Sequence, residues 1–296
     1  HRKPLMQLNT EAITTPPRAA ATVVMLRDAA AGLEVFLLRR HGLSDVLGGA
    51  YVFPGGKVDV HDAELDMAAR LDQSPQQLHV ELNEPDIDAV TAASLYVAAL
   101  REAFEESGVL FAQDASARQA EQAGDLLRQG CGFDEVLSRM ALRLQTCNVV
   151  PWSRWITPKV SAVVNKRFDT RFFVSAVPSD QVARHDEHET TESAWLRPRA
   201  ALEQYRDGRI ELAPPQIMSL AHLSHHATVD SVLQEARRRR PPVIRPESFE
   251  QDGERVICYP GDERHSMHER ALPGPTRLHY HNQRFEPLDG FEALFA

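Results

Sequence analysis

The sequence is poor in cysteine and has no long apolar run. Its three cysteines, Cys131, Cys147 and Cys258, are scattered and form no C-x-x-C pair. This usage predicts reduced thiols in a cytoplasmic protein, with neither a disulfide framework nor a zinc site. No apolar run approaches about 18 residues, so no membrane span is expected. Residues 1–17 are polar and lack the apolar region of a signal peptide. Because residue 1 is His rather than Met, we expect leading residues to be missing.

The chain also lacks an excess of basic residues. Lysine and arginine total 33 against 42 aspartates and glutamates, which gives a formal net charge of −9. A nucleic-acid polymer is therefore not expected as a partner, because phosphate contacts along a polymer need a basic surface. A small phosphate-bearing ligand remains compatible with this charge, since bound metal ions can screen it. The 296 residues are 43% hydrophobic and 25% charged, typical of one large globular domain or a domain plus an extension.

Three clustered carboxylates lie at the end of a predicted helix. The helix is expected to open at residues 85–86 and to run to Glu106, with Gly108 as its C-terminal cap. Glu102, Glu105 and Glu106 are spaced i, i+3 and i+4, so they share one helix face. Their mutual repulsion and the helix dipole both disfavour this arrangement unless a cation offsets them. Oxygen ligands suit Mg²⁺ or Mn²⁺; the alternative is a solvated, charge-rich helix face.

A glycine-rich turn precedes that helix in the chain. The apolar run 50–53 predicts a short strand that ends in Pro54, Gly55 and Gly56. Glycines at such a turn allow the backbone to approach a ligand or a metal closely. A strand, a glycine turn and a helix bearing three carboxylates together predict a site for a metal and a phosphate.

These residues resemble the Nudix hydrolase signature, in which a glycine and an acid precede the sequence R-E-U-x-E-E-x-G-U, where U is apolar. Gly56 matches the glycine, Asp62 stands where the family has glutamate, and residues 101–109 match the second half. Arg101 follows Gly56 by 45 positions where the family has about 14, so about 31 residues are inserted. The split signature, with residues 152–158 (WSRWITP) and 167–173 (RFDTRFF), is similar to the coenzyme A diphosphatase branch.

The resemblance implies an α+β fold, an α/β/α sandwich with a mixed sheet between helices. We expect a flexible segment at 1–18 and a hydrolase domain at 19–213. That domain would contain an insertion at about 62–92 and a helical insertion at about 114–147. Residues 214–296 are expected to form one long helix, reaching about residue 240, and a small β-rich extension. The sequence leaves open whether this extension is a homodimer contact or a lid over substrate.

The resemblance also implies roles for individual residues. Mg²⁺ or Mn²⁺ would be held by the carbonyl of Gly55 with Glu102, Glu105 and Glu106, while Arg101 would orient a glutamate. The proton of the attacking water would pass to Glu105, Glu106 or Glu189, with Glu192, His185 and His188 as nearby competitors. Asp59 or Glu64 could replace Asp62. The predicted substrate-binding residues are Gly56, Lys57, Arg39, Arg167 and Arg171. The alternative for the arginines and Glu189 is ordinary surface charge.

The implied substrate is a small nucleoside diphosphate derivative. Coenzyme A or an acyl-CoA, cut to 3′,5′-ADP and a phosphopantetheine, is the expected compound. The sequence leaves open an ADP-ribose or dinucleotide pyrophosphatase and a non-catalytic Nudix-fold sensor. A further group, His222, His225 and His226, has no acid at metal-ligand spacing, so these histidines are expected on a helix surface.

Overall fold

The computed structural model describes residues 8–9, 11–42, 47–160, 166–186 and 189–296. An eight-stranded mixed sheet lies between layers of helices, as expected for an α/β/α sandwich, and a four-stranded antiparallel sheet follows near the C-terminus. The strands of the main sheet are β1 (Arg18–Ala29), β2 (Gly32–Arg40), β3 (Tyr51–Val52), β4 (Gly55–Lys57), β5 (Val150–Ile156), β6 (Phe168–Ala176), β7 (Thr190–Leu196) and β8 (Val243–Ile244). The strands of the second sheet are β9 (Glu247–Gln251), β10 (Glu254–Cys258), β11 (Arg277–His281) and β12 (Arg284–Glu286).

Strand β1 is the centre of the main sheet. It pairs in parallel with β6 along one edge and antiparallel with β4 and then β2 along the other. Its side chains alternate between two hydrophobic cores, one containing Val23 and Met25 and the other containing Val24 and Leu26. Burial of both faces explains why this strand reads as a continuous apolar run rather than an alternating one.

Nine α-helices lie in the described part of the chain. They are α1 (Val60–Glu64), α2 (Met67–Arg70), α3 (Pro75–Leu82), α4 (Ala89–Ser107), α5 (Ala117–Arg128), α6 (Phe133–Arg139), α7 (Pro198–Arg206), α8 (Pro214–Leu223) and α9 (Val229–Arg238). Helices α3 to α6 pack on one face of the main sheet, and α7 to α9 pack on the other. Within the described residues, no helix combines the length and the apolar character needed to cross a bilayer.

Helix α4 carries the three clustered glutamates. It begins after Asp88, whose side chain accepts a hydrogen bond from the Thr91 N–H, rather than at residues 85–86 as expected. Asp88 is an effective N-cap because its carboxylate satisfies one of the free N–H groups of the first turn. The helix ends, as predicted, at Gly108, whose φ of 73° places it in the left-handed region that favours glycine.

The long insertion forms α1, α2 and α3 and is anchored to the main sheet by Glu84. The Glu84 carboxylate receives two hydrogen bonds from Arg171 on β6, at 2.9 and 2.6 Å. Arg154 on β5 lies 3.3 Å from the same carboxylate, and Asp169 pairs with both arginines. Glu84 and Arg171 are 9% and 6% exposed. Arg171 therefore acts as a structural cation for the insertion.

We expect Glu84→Ala to destabilise the fold by about 3 kcal/mol, because it leaves the Arg171 guanidinium buried without its main partner. The measurement is urea unfolding of both proteins. Glu81→Ala is the matched control, since Glu81 lies on α3 but is exposed, and a change within about 0.5 kcal/mol is expected there. Equal stabilities for Glu84→Ala and the control would contradict this role.

The predicted long C-terminal helix is wrong, since residues 214–240 form α8 and α9 with a break between them. At the break the Ala227 carbonyl accepts a hydrogen bond from the Leu33 N–H, and Thr228 caps α9. After α9 the chain returns to the main sheet, where β8 pairs in parallel with β5. The expected boundary at 213/214 therefore passes through one hydrophobic core rather than between two. Of the predicted flexible segment, residues 1–7 and 10 lie outside the described residues.

Candidate active site

The glycine segment and the end of α4 meet directly, despite the 45 positions between Gly56 and Arg101. The Gly55 N–H donates a hydrogen bond of 2.8 Å to Oε2 of Glu106. A Cβ atom added at Gly56 would lie 2.5 Å from the Glu102 carboxylate, and one at Gly55 would collide with the backbone of Thr22 on β1. At Gly55 only glycine fits, since the obstructing atoms include backbone, whereas at Gly56 they belong to the end of the Glu102 side chain. The segment is a short strand, β4, rather than the predicted turn.

Arg101 connects the acidic residues of this site. Its guanidinium donates to both carboxylate oxygens of Asp62, at 2.8 and 3.0 Å, and to the Lys57 carbonyl at 3.0 Å. The same group contacts Glu102 at 2.8 Å and Glu105 at 3.0 Å. Burial alone would lower the pKa of Arg101, but the bond to Asp62 and the neighbouring acids raise it above its ordinary value. The guanidinium therefore stays charged and fixes the orientation of both glutamates.

Asp62 is the acid that fixes Arg101 in turn. It is 2% exposed, and it also accepts from the Asp59 N–H in a capping box at the start of α1. The two alternatives that the sequence left open lie elsewhere. Asp59 caps His61 from an exposed position, and Glu64 is 67% exposed and pairs with His61. Of the three acids, Asp62 alone is bonded to Arg101 within the described structure.

The three glutamates lie in an environment that disfavours their charge. Burial raises the pKa of Glu106 from 4.5 to about 8, although the Gly55 N–H acts in the opposite direction. Burial likewise raises the pKa of Glu102 and of Glu105, while Arg101 lowers both. A divalent cation would favour the charged form of all three side chains, because opposite charge stabilises a carboxylate. The oxygens of the three side chains do not converge on one point in the described structure, since Arg101 holds Glu102 and Glu105 while Glu106 accepts from the Gly55 N–H. The donor set itself, three carboxylates beside a glycine backbone, is of the type that suits an oxygen-preferring ion such as Mg²⁺ or Mn²⁺.

A cavity of about 980 Å³ opens beside these residues. Glu102, Glu105, Gly56, Lys57 and Glu189 line one end of it. Strand β5, the start of α8 and the four-stranded sheet form other parts of its wall. Its size is at the upper end of the range for small-molecule sites.

Glu189 lies at the acidic end of the cavity, with its side chain exposed. Its negative charge contributes to raising the pKa of Glu102, Glu105 and Glu106, so it lies near all three. Glu192 is instead held by Tyr51 and Arg39, at 2.9 and 3.0 Å, and His185 contacts Ser193. His188 lies outside the described residues.

Three of the predicted substrate-binding cations require correction. Arg39 pairs with Glu192 away from the cavity, whereas Arg40 lines it, because successive strand residues face opposite sides. Arg167 donates to the backbone carbonyls of Thr157 and Thr15. Arg171 is buried against Glu84 and is not part of the described cavity wall. Lys57 and Gly56 do line the cavity, and so do His41 and Lys166, which the predicted substrate-binding set did not include.

His222 and His226 form a polar cluster rather than a helix surface, whereas His225 is exposed in the turn after α8. Glu235 of α9 accepts from Nε2 of His222 at 2.8 Å and from Nε2 of His226 at 2.7 Å, so an acid does meet these histidines. His222 is buried and its ring lies 4.5 Å from that of Trp152. Arg239 binds the same carboxylate at 2.9 Å and already neutralises its charge. The cluster fastens α8 to α9.

Comparisons with known proteins point to one family. A family model described as the NUDT19 Nudix domain matches residues 8–223. An acyl-coenzyme A diphosphatase NUDT19 of Xenopus laevis is 28% identical over 235 residues, which are 67% of this chain and 62% of that protein. A putative nudix hydrolase 7 of Caenorhabditis elegans is 26% identical over 273 residues, 90% of this chain and 80% of that protein. The chain thus spans less than two thirds of the length of the Xenopus relative.

A solved structure shares the fold. The crystal structure of a NUDIX hydrolase from Alicyclobacillus acidocaldarius superposes with a TM-score of 0.54 and 26% identity. The match covers 77% of this chain and 98% of that one.

Proposed function

The chain belongs to the Nudix hydrolase family, since the matched domain covers residues 8–223 of 296, and on that premise we propose that it is a Mg²⁺-dependent pyrophosphohydrolase. Its proposed substrate is coenzyme A or an acyl-CoA, cleaved at the diphosphate to 3′,5′-ADP and a phosphopantetheine or its acyl form. The substrate class follows the relatives' activity and the split signature that this chain shares with the branch.

The contact between Gly55 and Glu106, with Gly56 against Glu102, is the observation that supports this proposal most directly. It joins the two halves of the signature across a 45-position separation. Because both residues lack a Cβ atom, the backbone packs directly against β1 and the Glu102 carboxylate, which brings the glycine segment and α4 into contact. The arrangement supports a working hydrolase more than a sensor, since all three carboxylates are retained.

The proposed mechanism assigns each residue a separate task. Glu102, Glu105 and Glu106 would hold the divalent ion, which when bound supplies charge neutralisation and a more acidic water. Arg101 keeps Glu102 and Glu105 in position and is itself fixed by Asp62. Lys57 offers a cation to the diphosphate from the cavity wall. Glu189, exposed at the same end, would accept the proton of the attacking water.

A substrate panel with Mg²⁺ tests this function. We expect hydrolysis of CoA and acyl-CoA to exceed that of ADP-ribose, dinucleotides and nucleoside triphosphates by about tenfold or more in kcat/KM, with 3′,5′-ADP as a product detected by chromatography. Each tenfold preference corresponds to about 1.4 kcal/mol of differential transition-state binding. EDTA should remove the activity. Faster turnover of ADP-ribose would identify a different pyrophosphatase, and tight binding without turnover would indicate a sensor.

A further inference from the structure

The part of the cavity wall formed by β5, β6, α8 and the four-stranded sheet has a different chemical character from the part that carries the glutamates. It combines Trp155 of β5, Phe172 of β6 and Ile257 of β10 with Pro214, Gln216 and Ser248. Trp155 and Ile257 are each 5% exposed. Three separate parts of the chain thus meet there, and two of them, α8 and the four-stranded sheet, belong to the C-terminal third of the protein.

This wall is fixed to the main sheet. The Trp155 ring lies 6.3 Å from the ring of Phe172 and 6.0 Å from that of Tyr259, which is fully buried next to β10. The backbone of Trp155 is also in register with Ile244 of β8, the strand that leads into the four-stranded sheet. The sheet therefore meets the cavity as a packed surface, a requirement for a precise binding wall.

The start of α8 is poorly suited to bind a phosphate group. Helix N-termini bind anions through free backbone N–H groups. Here the first two helical positions are Pro214 and Pro215, which have no N–H to donate, and Ala213 provides no capping side chain. Glu247 adds a carboxylate to the same wall. The start of α8 and Glu247 thus offer nothing to the 3′-phosphate of a nucleotide, and the cations of the cavity wall, Arg40, Lys57 and Lys166, lie on other segments.

Gln216 provides the polar group that such a ligand would need. Gln216 lines the cavity and is 7% exposed, and its amide oxygen is buried, closed off from the cavity and without a hydrogen-bond partner among the described residues. A rotation of the side chain would turn this oxygen toward the cavity. An unsatisfied buried acceptor costs about 1–3 kcal/mol, which a ligand N–H would recover. A chain containing amides and ending in an apolar group has both features that this wall can bind.

From these contacts we propose that the start of α8 and the four-stranded sheet form the subsite for the phosphopantetheine arm, with the Gln216 oxygen accepting from an amide N–H of that arm. The proposal rests on the proposed function and adds the location and the determinants of one half of the substrate. It makes the C-terminal sheet a specificity element of the active site.

Two variants of the full chain test this subsite. Ser248→Trp places a large ring at the wall, and Gln216→Met removes the acceptor while keeping the side-chain length. With Mg²⁺ present, calorimetry should show 4′-phosphopantetheine binding weakened about tenfold by each variant, the effect of losing about 1.4 kcal/mol. Binding of 3′,5′-ADP should change less than about twofold. Gln251→Trp, on the same strand but away from the described cavity wall, is the control for adding a tryptophan to β9.

The outcomes separate this subsite from the proposed function. Weakened 3′,5′-ADP binding with unchanged phosphopantetheine binding would assign the wall to the nucleotide and overturn the subsite. Equal loss of both ligands, or no loss of either, would overturn it as well, while CoA hydrolysis by the wild type would still support the function. A wild type that neither hydrolyses CoA nor binds either half would overturn both. The thermal midpoint of Ser248→Trp should match that of the control, and that of Gln216→Met should not fall below it, since this change removes an unsatisfied buried acceptor.

Discussion

Replacing Glu106 with glutamine is expected to abolish hydrolysis, by about 10³-fold or more in kcat, while stabilising the metal-free protein. The loss follows if Glu106 holds the catalytic ion, because removing one preorganised charge contact already costs about 10²–10³-fold. The gain in stability follows from burial, which raises the pKa of Glu106 to about 8. A neutral amide avoids that penalty and can still accept from the Gly55 N–H, so we expect a stabilisation of about 2 kcal/mol near neutral pH.

The difference in folding stability between Glu106→Gln and the wild type should grow as the pH rises. The folded-state pKa of Glu106 lies above its ordinary value of 4.5, so the folded state binds the extra proton between pH 4.5 and about 8. Stability then falls as pH rises through this window, because the unfolded state releases the proton first. The advantage of Glu106→Gln over the wild type should accordingly be absent near pH 4 and fully developed at pH 8.

Thermal unfolding in EDTA at several pH values, followed by titration with Mg²⁺, measures these effects. Mg²⁺ at about 100 times its dissociation constant should stabilise the wild type by about 2.7 kcal/mol and Glu106→Gln by much less. Glu121→Gln, on the exposed surface of α5, is the matched control and should behave as the wild type in every assay. Wild-type activity in Glu106→Gln, or an equal response of both proteins to Mg²⁺, would rule out Glu106 as a ligand.

Asp62→Asn and Arg101→Lys are each expected to lower kcat about 100-fold, with little change in the Mg²⁺ concentration that gives half-maximal activity. Asp62 acts through the two-point hydrogen bond to Arg101, and a lysine cannot reproduce that fork. Groups that orient metal ligands typically contribute about 10–100-fold. Asp62→Asn should also destabilise the fold by about 3 kcal/mol, since it leaves the largely buried Arg101 guanidinium without its main charge partner.

Steady-state kinetics at several Mg²⁺ concentrations separates positioning from metal binding. If Asp62 orients Arg101, the double variant should be no slower than either single variant, because the two residues act as one unit. Glu64→Gln, two residues from Asp62 but exposed, should retain full activity. A large rise in the Mg²⁺ requirement of Asp62→Asn would instead make Asp62 a metal ligand. Multiplying losses in the double variant would show that the pair does not act together.

Local patterns predicted much of the fold. The end of α4 at Gly108 follows from capping chemistry, and the structure contains it. The single helix expected over residues 214–240 failed for a non-local reason. Its apolar positions continue in helical spacing, but Leu33 on β2 binds the Ala227 carbonyl and interrupts the helix from outside. Tertiary contacts of this kind leave no mark on sequence periodicity.

Part of the candidate site was likewise predictable from local patterns, and part depended on contacts distant in the sequence. Helix geometry alone brings Glu102, Glu105 and Glu106 together, so the acidic face was predictable. The direction of each basic side chain was not. Arg171 and Arg167 lie in the most basic stretch of the domain, yet they bind Glu84 and two backbone carbonyls. The alternation of strand residues was the one signal that could have favoured Arg40 over Arg39.

Both halves of the signature are attached to β1, and this attachment explains why the protein tolerates the long insertion between them. Because β4 is hydrogen-bonded to β1 and α4 packs on the same strand, the two ends of the insertion have fixed positions. Lengthening such a closed segment from about 14 to about 45 residues costs only about 1 kcal/mol of chain entropy, since the penalty grows with the logarithm of length. Folded modules of other sizes could replace α1 to α3 at a comparable entropic penalty, provided that an acid still reaches Arg101.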